Sequence, residues 1–248
     1  MNSKKIKPHF IKKTNPRVGL IVLATDVMIE KDFLKVFNGV NADLFVNRIT
    51  NYNPVTADNL KKMTENITSV TKNILPGEEV DCVVYGCTSG TIVSGYDNIK
   101  KKINLAKPNT LVTTPSTAAL NALKKKNIKK ISIVTPYIKS VNDDVVIFFK
   151  DNNFEITSNT YFDIESDIDI GKVDQNYLYE VLSKIDLKDA DALFVSCTAL
   201  PVLSIIDKLE KKINKFVLSS NQALIWDTLE SIGKNNSIKG FGRLFLSN

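Results

Sequence analysis

The sequence predicts an α/β protein made of two pseudosymmetric lobes, each a short parallel sheet flanked by helices, with a cleft between them. Two observations predict it. Short, near-continuous Val/Ile/Leu runs alternate with helix-length amphipathic segments, the pattern of strands buried on both faces of parallel sheets. The chain also repeats itself. Asp81-Cys-Val-Val-Tyr-Gly-Cys87-Thr88 matches Asp191-Ala-Leu-Phe-Val-Ser-Cys197-Thr198, and Asp, Cys and Thr coincide at a constant spacing of 110 residues.

The elements follow in order. Residues 18–24, Val-Gly-Leu-Ile-Val-Leu-Ala, read as a buried strand, and 29–37 as a helix. A second strand covers 42–47. A long helix over 56–74 is opened by Thr56 or Asp58 as a cap and closed near Pro76-Gly77. A third strand covers 80–85. A helix over 88–103 is interrupted at Gly95, a short strand covers 110–113, and a helix 116–126. The alternation then recurs: strand 131–135, helix 140–151, strand near 155–156, helix 174–185, strand 191–195, helix 200–212, strand 216–218 and helix 222–232. The run from Val112 to Ala118 leads into a helix as the run from Val217 to Ala223 does. The organisation expected is a first lobe of residues 17–114 joined by a returning segment 219–248, a second lobe of 115–218, and a basic mobile tail of 1–16.

Composition excludes several function classes. With 248 residues, 43% hydrophobic and 24% charged, the chain can bury a sizeable core. The net charge of +6 is local: residues 1–13 hold five lysines and no acid, which leaves 28 basic against 27 acidic residues elsewhere. No basic face with interleaved aromatics is present, and the only arginines are Arg17, Arg48 and Arg243, so nucleic acid is not expected as a partner. No apolar run approaches the ~20 residues that span a bilayer. The tail lacks a secretory h-region, so the cytoplasm is the expected compartment.

The chemistry must come from few groups. The three cysteines are Cys82, Cys87 and Cys197, and the one histidine is His9, in the tail. Zinc ligation and Cys–His or Ser–His catalysis therefore lack residues. Neither GxGxxG nor GxxxxGK[ST] occurs, so no nucleotide cofactor is implied. Cys82 lies inside a strand and reads as a small core hydrophobe. Cys87 and Cys197 each fall where a strand should end, the place where open parallel sheets bind ligands. Thr88, Ser89 and Thr198 follow as helix-capping hydroxyls, and Pro201 suits the first turn of the next helix. Thiols at helix N-termini are expected to have a depressed pKa, and the adjacent amides to favour a carboxylate.

These motifs, Cys87-Thr-Ser-Gly90, Ser196-Cys-Thr198, Thr135-Pro-Tyr137, Ser219-Ser-Asn-Gln-Ala-Leu224 and Trp226, resemble the aspartate/glutamate racemase superfamily from about Arg17 onward. The maleate cis–trans isomerase branch is the most similar, and Thr25-Asp26, Glu30-Lys-Asp-Phe33, Asn53-Pro-Val-Thr56 and Ile74-Leu-Pro-Gly77 resemble the ectoine-utilisation EutA-type proteins. The resemblance implies cofactor-independent chemistry next to a carboxylate, with Cys87 and Cys197 as the catalytic pair. Thr88, Ser89 and Thr198 would supply hydroxyls and amides to the carboxylate, Tyr137 a hydrogen bond, and Asn221 would shape the pocket. It also implies homo-oligomers, dimers or larger. Two departures matter. Maleate isomerases carry asparagine where this chain has Asp26, which reads either as a helix cap or as a group that meets a cationic or amide-bearing substrate. Decarboxylases of the superfamily keep only the second cysteine and have glycine at the first position, whereas this chain has Cys87.

The expected function is an isomerase or racemase acting on a small carboxylate, with ectoine-type amino acid catabolism as one setting. The alternatives are a non-catalytic small-carboxylate binding protein, a redox-sensing thiol pair and an arylmalonate decarboxylase-like lyase.

Overall fold

The computed structural model describes residues 3–187, 189–234 and 237–246. The start of the basic segment and the end of the chain, at 1–2 and 247–248, lie outside the described residues, as do 188 and 235–236. One parallel sheet holds β1 (Arg17–Leu23), β2 (Asp43–Ile49), β3 (Cys82–Gly86) and β4 (Leu111–Thr113) in the order β2-β1-β3-β4. The other holds β5 (Lys130–Thr135), β6 (Glu155–Tyr161), β7 (Ala192–Val195) and β8 (Phe216–Ser219) in the order β6-β5-β7-β8. The two sheets thus share one topology, as the repeated cysteine motif predicts.

That strand order fixes where a ligand can sit. From β1 the chain crosses to β2 on one side, then returns to place β3 on the other, so the connections diverge between β1 and β3 and leave a crevice at the strands' carboxyl ends. The same divergence occurs between β5 and β7. Register aligns Val22 with Gly86 in the first sheet and Val134 with Val195 in the second. Cys87 and Cys197 therefore emerge just past matching ends of the two central strands.

The helices are α1 (Ile29–Phe37), α2 (Ala57–Thr64), α3 (Ile67–Lys72), α4 (Thr88–Ser94), α5 (Tyr96–Asn104), α6 (Pro115–Lys125), α7 (Lys139–Asp151), α8 (Asp167–Ile170), α9 (Gln175–Ser183), α10 (Ile206–Ile213) and α11 (Ser220–Ser231). They cover strands β3, β7 and β8, in which every residue is buried. In α1, Ile29, Phe33, Val36 and Phe37 turn inward at helical spacing; Phe33→Ala would cost about 3–5 kcal/mol. In the second sheet Phe149 of α7 packs against Phe194 of β7 with the rings tilted, at 4.8 Å between centroids. No helix among the described residues is long and apolar enough to cross a membrane.

Four expectations are corrected. The helix expected over 56–74 is two, α2 and α3, because the turn at Glu65 and Asn66 closes with i→i+3 bonds to Lys62 O and Met63 O, and Thr64 folds its hydroxyl back to Lys61 O at 2.7 Å. The helix expected over 200–212 begins as an α-helix only at Ile206; Leu203–Ile205 form a 3₁₀ turn, and Pro201 lies in an irregular segment before it. The short strand near 155–156 extends to Tyr161 as β6, a solvent-facing edge strand whose polar residues hid it. The one-turn helix α8 was not anticipated. Gly95 does interrupt its helix, at φ +77, a region glycine enters without strain.

Candidate active site

Residues from both sheets line one narrow pocket. The first sheet's side supplies Cys87, Thr88 and Ser89 after β3, Leu23 at the end of β1, and Asn51, Tyr52, Val55 and Met63 from the segment after β2. The second supplies Tyr137 after β5, Asp167 after β6, and Cys197 and Thr198 after β7. Six of the eight residues singled out in the sequence are thus brought together.

Cys87 forms the N-cap of α4: its Sγ accepts the Gly90 amide at 3.2 Å and lies 3.9 Å from the Ser89 hydroxyl. Gly90 is there because a Cβ would lie 2.8 Å from that sulfur and 2.9 Å from the Tyr85 hydroxyl. Cys197 has φ +89, a left-handed conformation that a side chain strains against. Its amide donates to Ser220 Oγ at 3.0 Å, and the same oxygen accepts the Thr88 hydroxyl at 2.9 Å. One serine hydroxyl at the start of α11 therefore ties the two cysteine loops together. Thr198 adds a second tie through its hydroxyl to Gly86 O at 3.3 Å.

The helix-start argument for depressed thiol pKa values does not hold. Burial pushes the Cys87 thiol up to about 12, against the smaller opposing pull of the Gly90 amide. Cys197 goes well above its usual value for the same reason, and Asp167 and Asp26 push both thiols further up. The helix start cannot prevail because each thiol is only 4% exposed and two carboxylates stand close by. Cys197 also lacks the helix expected directly after it. Cys82, fully buried in β3, is raised by burial to about 12 and lies outside the pocket. Tyr137, 2% exposed, is raised by burial first and then by both thiols, which holds its hydroxyl neutral.

Asp26 and Asn221 do not line the pocket; they stand behind it. Asp26 Oδ1 accepts the amides of Met28 at 2.7 Å and Ile29 at 3.0 Å, the helix-cap reading of this residue. Its Oδ2 is buried with no hydrogen-bond partner, and burial raises its pKa. Arg48 holds the same loop by donating to the carbonyls of Leu23, Ala24 and Asp26. Asn221 donates to Asp32 Oδ2 at 2.9 Å and to Thr198 O at 2.8 Å, so it positions the second cysteine loop.

The acidic pocket residue that sequence reasoning missed is Asp167. Thr25 donates its hydroxyl to Asp167 Oδ2 at 2.7 Å, Asn51 donates to the Thr25 hydroxyl at 2.6 Å, and Asn53 Oδ1 accepts the Asp167 amide at 3.2 Å. Burial raises Asp167 to about 6. Its one sequence signal is an aspartate set among isoleucines in Ile164-Glu-Ser-Asp-Ile-Asp-Ile170. Among the described residues no group of three or more His, Cys, Asp or Glu could hold a metal ion.

Two matched parallel sheets flanked by helices present one cysteine each to a shared pocket of this α/β fold, and the sequence comparison places it further. The sequence model of the arylmalonate decarboxylase family matches residues 18–245, and the chain belongs to that family. Maleate isomerase of Geobacillus stearothermophilus is 22% identical over 242 residues, covering 92% of this chain and 96% of the relative. Arylmalonate decarboxylase of Bordetella bronchiseptica is 29% identical over 136 residues, 54% of this chain and 57% of that protein. Among solved structures, a cysteine-to-serine mutant of the Nocardia farcinica maleate cis–trans isomerase with a covalently bound succinylcysteine intermediate superimposes with a TM-score of 0.87. It is 19% identical and covers 95% of this chain and all of that one.

Proposed function

We propose that the chain is a cofactor-independent isomerase or racemase of small carboxylates in which Cys87 and Cys197 act as a pair. The observation that carries the reading is their matched placement past β3 and β7 on the wall of one pocket, with Tyr137 beside both. The similarity to maleate isomerases supports it, and so does the covalently bound succinylcysteine in the Nocardia relative. The motifs resembling ectoine-utilisation proteins make N-acetyl-2,4-diaminobutyrate a compound to assay beside maleate, aspartate and glutamate.

Two routes fit the pair. In racemisation one thiolate removes the proton α to the carboxylate, and the opposite thiol gives its proton to the other face; each turnover exchanges which sulfur is ionised. In cis–trans isomerisation one thiolate adds to the double bond, the electron pair moves to the neighbouring carbon and its carboxylate, the single bond rotates, and the thiolate leaves. The amides and hydroxyls of Thr88, Ser89 and Thr198 would hold the carboxylate as it gains enolate charge, and the neutral Tyr137 hydroxyl would donate to it. Burial raises both thiols, so this reading couples ionisation of the reacting sulfur to substrate binding.

The test is incubation with each of the four compounds in D₂O, followed by proton spectroscopy. Isomer formation or deuterium at the α carbon is expected with one of them; none with any would sink the reading. Decarboxylation is the second reading, favoured by the family match. Release of carbon dioxide from an arylmalonate, surviving Cys87→Ser, would establish it instead.

A further inference from the structure

We infer that the substrate carries a positively charged nitrogen as well as its carboxylate, and that Asp167 is the residue that meets the nitrogen. The inference rests on the two-thiol reading above and adds the substrate class.

The pocket wall contains no lysine, arginine or histidine, and it contains one carboxylate, Asp167. That carboxylate is built in place. Its Oδ2 takes the Thr25 hydroxyl, Thr25 is held by Asn51, and its amide is anchored on Asn53, so the group reaches the pocket from a fixed position. The residue is only 5% exposed and faces the pocket. A second carboxylate, Asp26, stands behind the same wall, fully buried, with Oδ2 unpartnered. The nearby Arg48 spends its donors on loop carbonyls and on Glu30.

Electrostatics decides between substrate classes. A dicarboxylate would bring two negative charges to a low-dielectric site that already holds one or two and has no cation on its wall, an arrangement that repels. An ammonium group beside Asp167 turns that repulsion into a charge-assisted hydrogen bond. The same cation acts on the thiols. Asp167 and Asp26 are among the causes that raise both cysteines, and a positive charge next to them draws a thiol back toward ionisation. Recognition and activation would then be one event: the substrate that satisfies Asp167 also releases the sulfur. A metal ion is not the occupant this geometry suits, since the described acidic and thiol groups offer no set of three ligands around a common point.

The experiment separates binding from chemistry. In the Cys87→Ser/Cys197→Ser protein, affinities for succinate, maleate, aspartate and 2,4-diaminobutyrate are measured by calorimetry at neutral pH. Aspartate and succinate share a carbon skeleton and differ by the amino group alone. The expected result is that an amino acid of the panel binds about 30-fold or more tightly than either dicarboxylate, and that adding Asp167→Asn, which keeps an acceptor for Thr25, erases the preference. Dicarboxylates bound as tightly as the amino acids, through a protonated Asp167 or otherwise, would overturn the inference. So would a preference that survives Asp167→Asn, or no binding of either amino acid. The comparison within the parent protein stands even if the Asp167 variant does not fold. Loss of turnover in the single cysteine variants tests the two-thiol reading separately, since the binding panel uses protein that lacks both sulfurs.

Discussion

At the scale of single residues, Cys87 and Cys197 are alike in sequence context and differ in how they are held. Cys87 caps α4 in extended backbone, whereas Cys197 sits at φ +89 with its amide on Ser220. Both are held as neutral thiols by burial. Cys87→Ser and Cys197→Ser should each lower kcat/KM by about 1000-fold or more, because a serine hydroxyl is a far poorer base and leaving group; steady-state kinetics on the substrate identified by the D₂O screen checks this. Alkylation by iodoacetamide should be slow in the empty protein at neutral pH and accelerate only well into the alkaline range, read by mass spectrometry at each cysteine. A rate at neutral pH matching an unhindered thiol would contradict the raised pKa values. Asp26 takes the amides of Met28 and Ile29 on one oxygen at the start of α1, and the residue is fully buried off the pocket wall.

At the scale of elements, helix starts and loop ends set the geometry. The Gly90 position in the first turn of α4 leaves room for the Cys87 sulfur, and a methyl there would meet it at 2.8 Å. Gly90→Ala should destabilise by about 1–3 kcal/mol and reduce kcat by about 100-fold through displacement of the thiol; thermal melts and kinetics together separate the two effects. Helix α1 carries a buried carboxyl, Asp32, which burial raises from 3.8 to about 6 while Asn221 and Lys35 pull it down. Between those values the folded state holds more protons than the unfolded one, so the contribution to stability is full below about pH 4 and is lost as pH rises through about 6. Asp32→Asn, which keeps an acceptor for Asn221, should flatten the fall in Tm over that window, by up to about 2–3 kcal/mol in the underlying stability. An unchanged slope would show that Asp32 is not ionising in the fold.

At the scale of the whole molecule, the site is closed by bonds between the two halves. Thr25 to Asp167, Val55 N to Glu165 O at 3.0 Å, Thr88 to Ser220 and Thr198 to Gly86 all cross between segments that follow different sheets. Ser220 is the shared point for the two cysteine loops, so Ser220→Ala leaves the Cys197 amide without its acceptor. It should cost about 1–3 kcal/mol in stability and lower kcat more than it changes KM. A variant with wild-type kcat would show that the loops hold their positions without it.

The sequence by itself determined the strands, most helices, the doubled plan and the pairing of Cys87 with Cys197, because apolar periodicity and a repeated motif are local signals. It also pointed to Thr88, Ser89 and Thr198, two or three residues beyond a strand end, while Tyr137 was singled out only through the family resemblance. Tertiary structure alone decided the rest. The ionisation of the thiols depends on burial and on carboxylates from other elements, which no helix-start argument contains. Asp167 lies 142 residues from the Thr25 that holds it, and only the packing of the second sheet against the first brings them into contact. Asn221 sits behind the site and not on its wall because its amide is already committed to Asp32 and Thr198. Local pattern is written along the chain; charge and solvent exclusion at a site are summed over everything that folds around it.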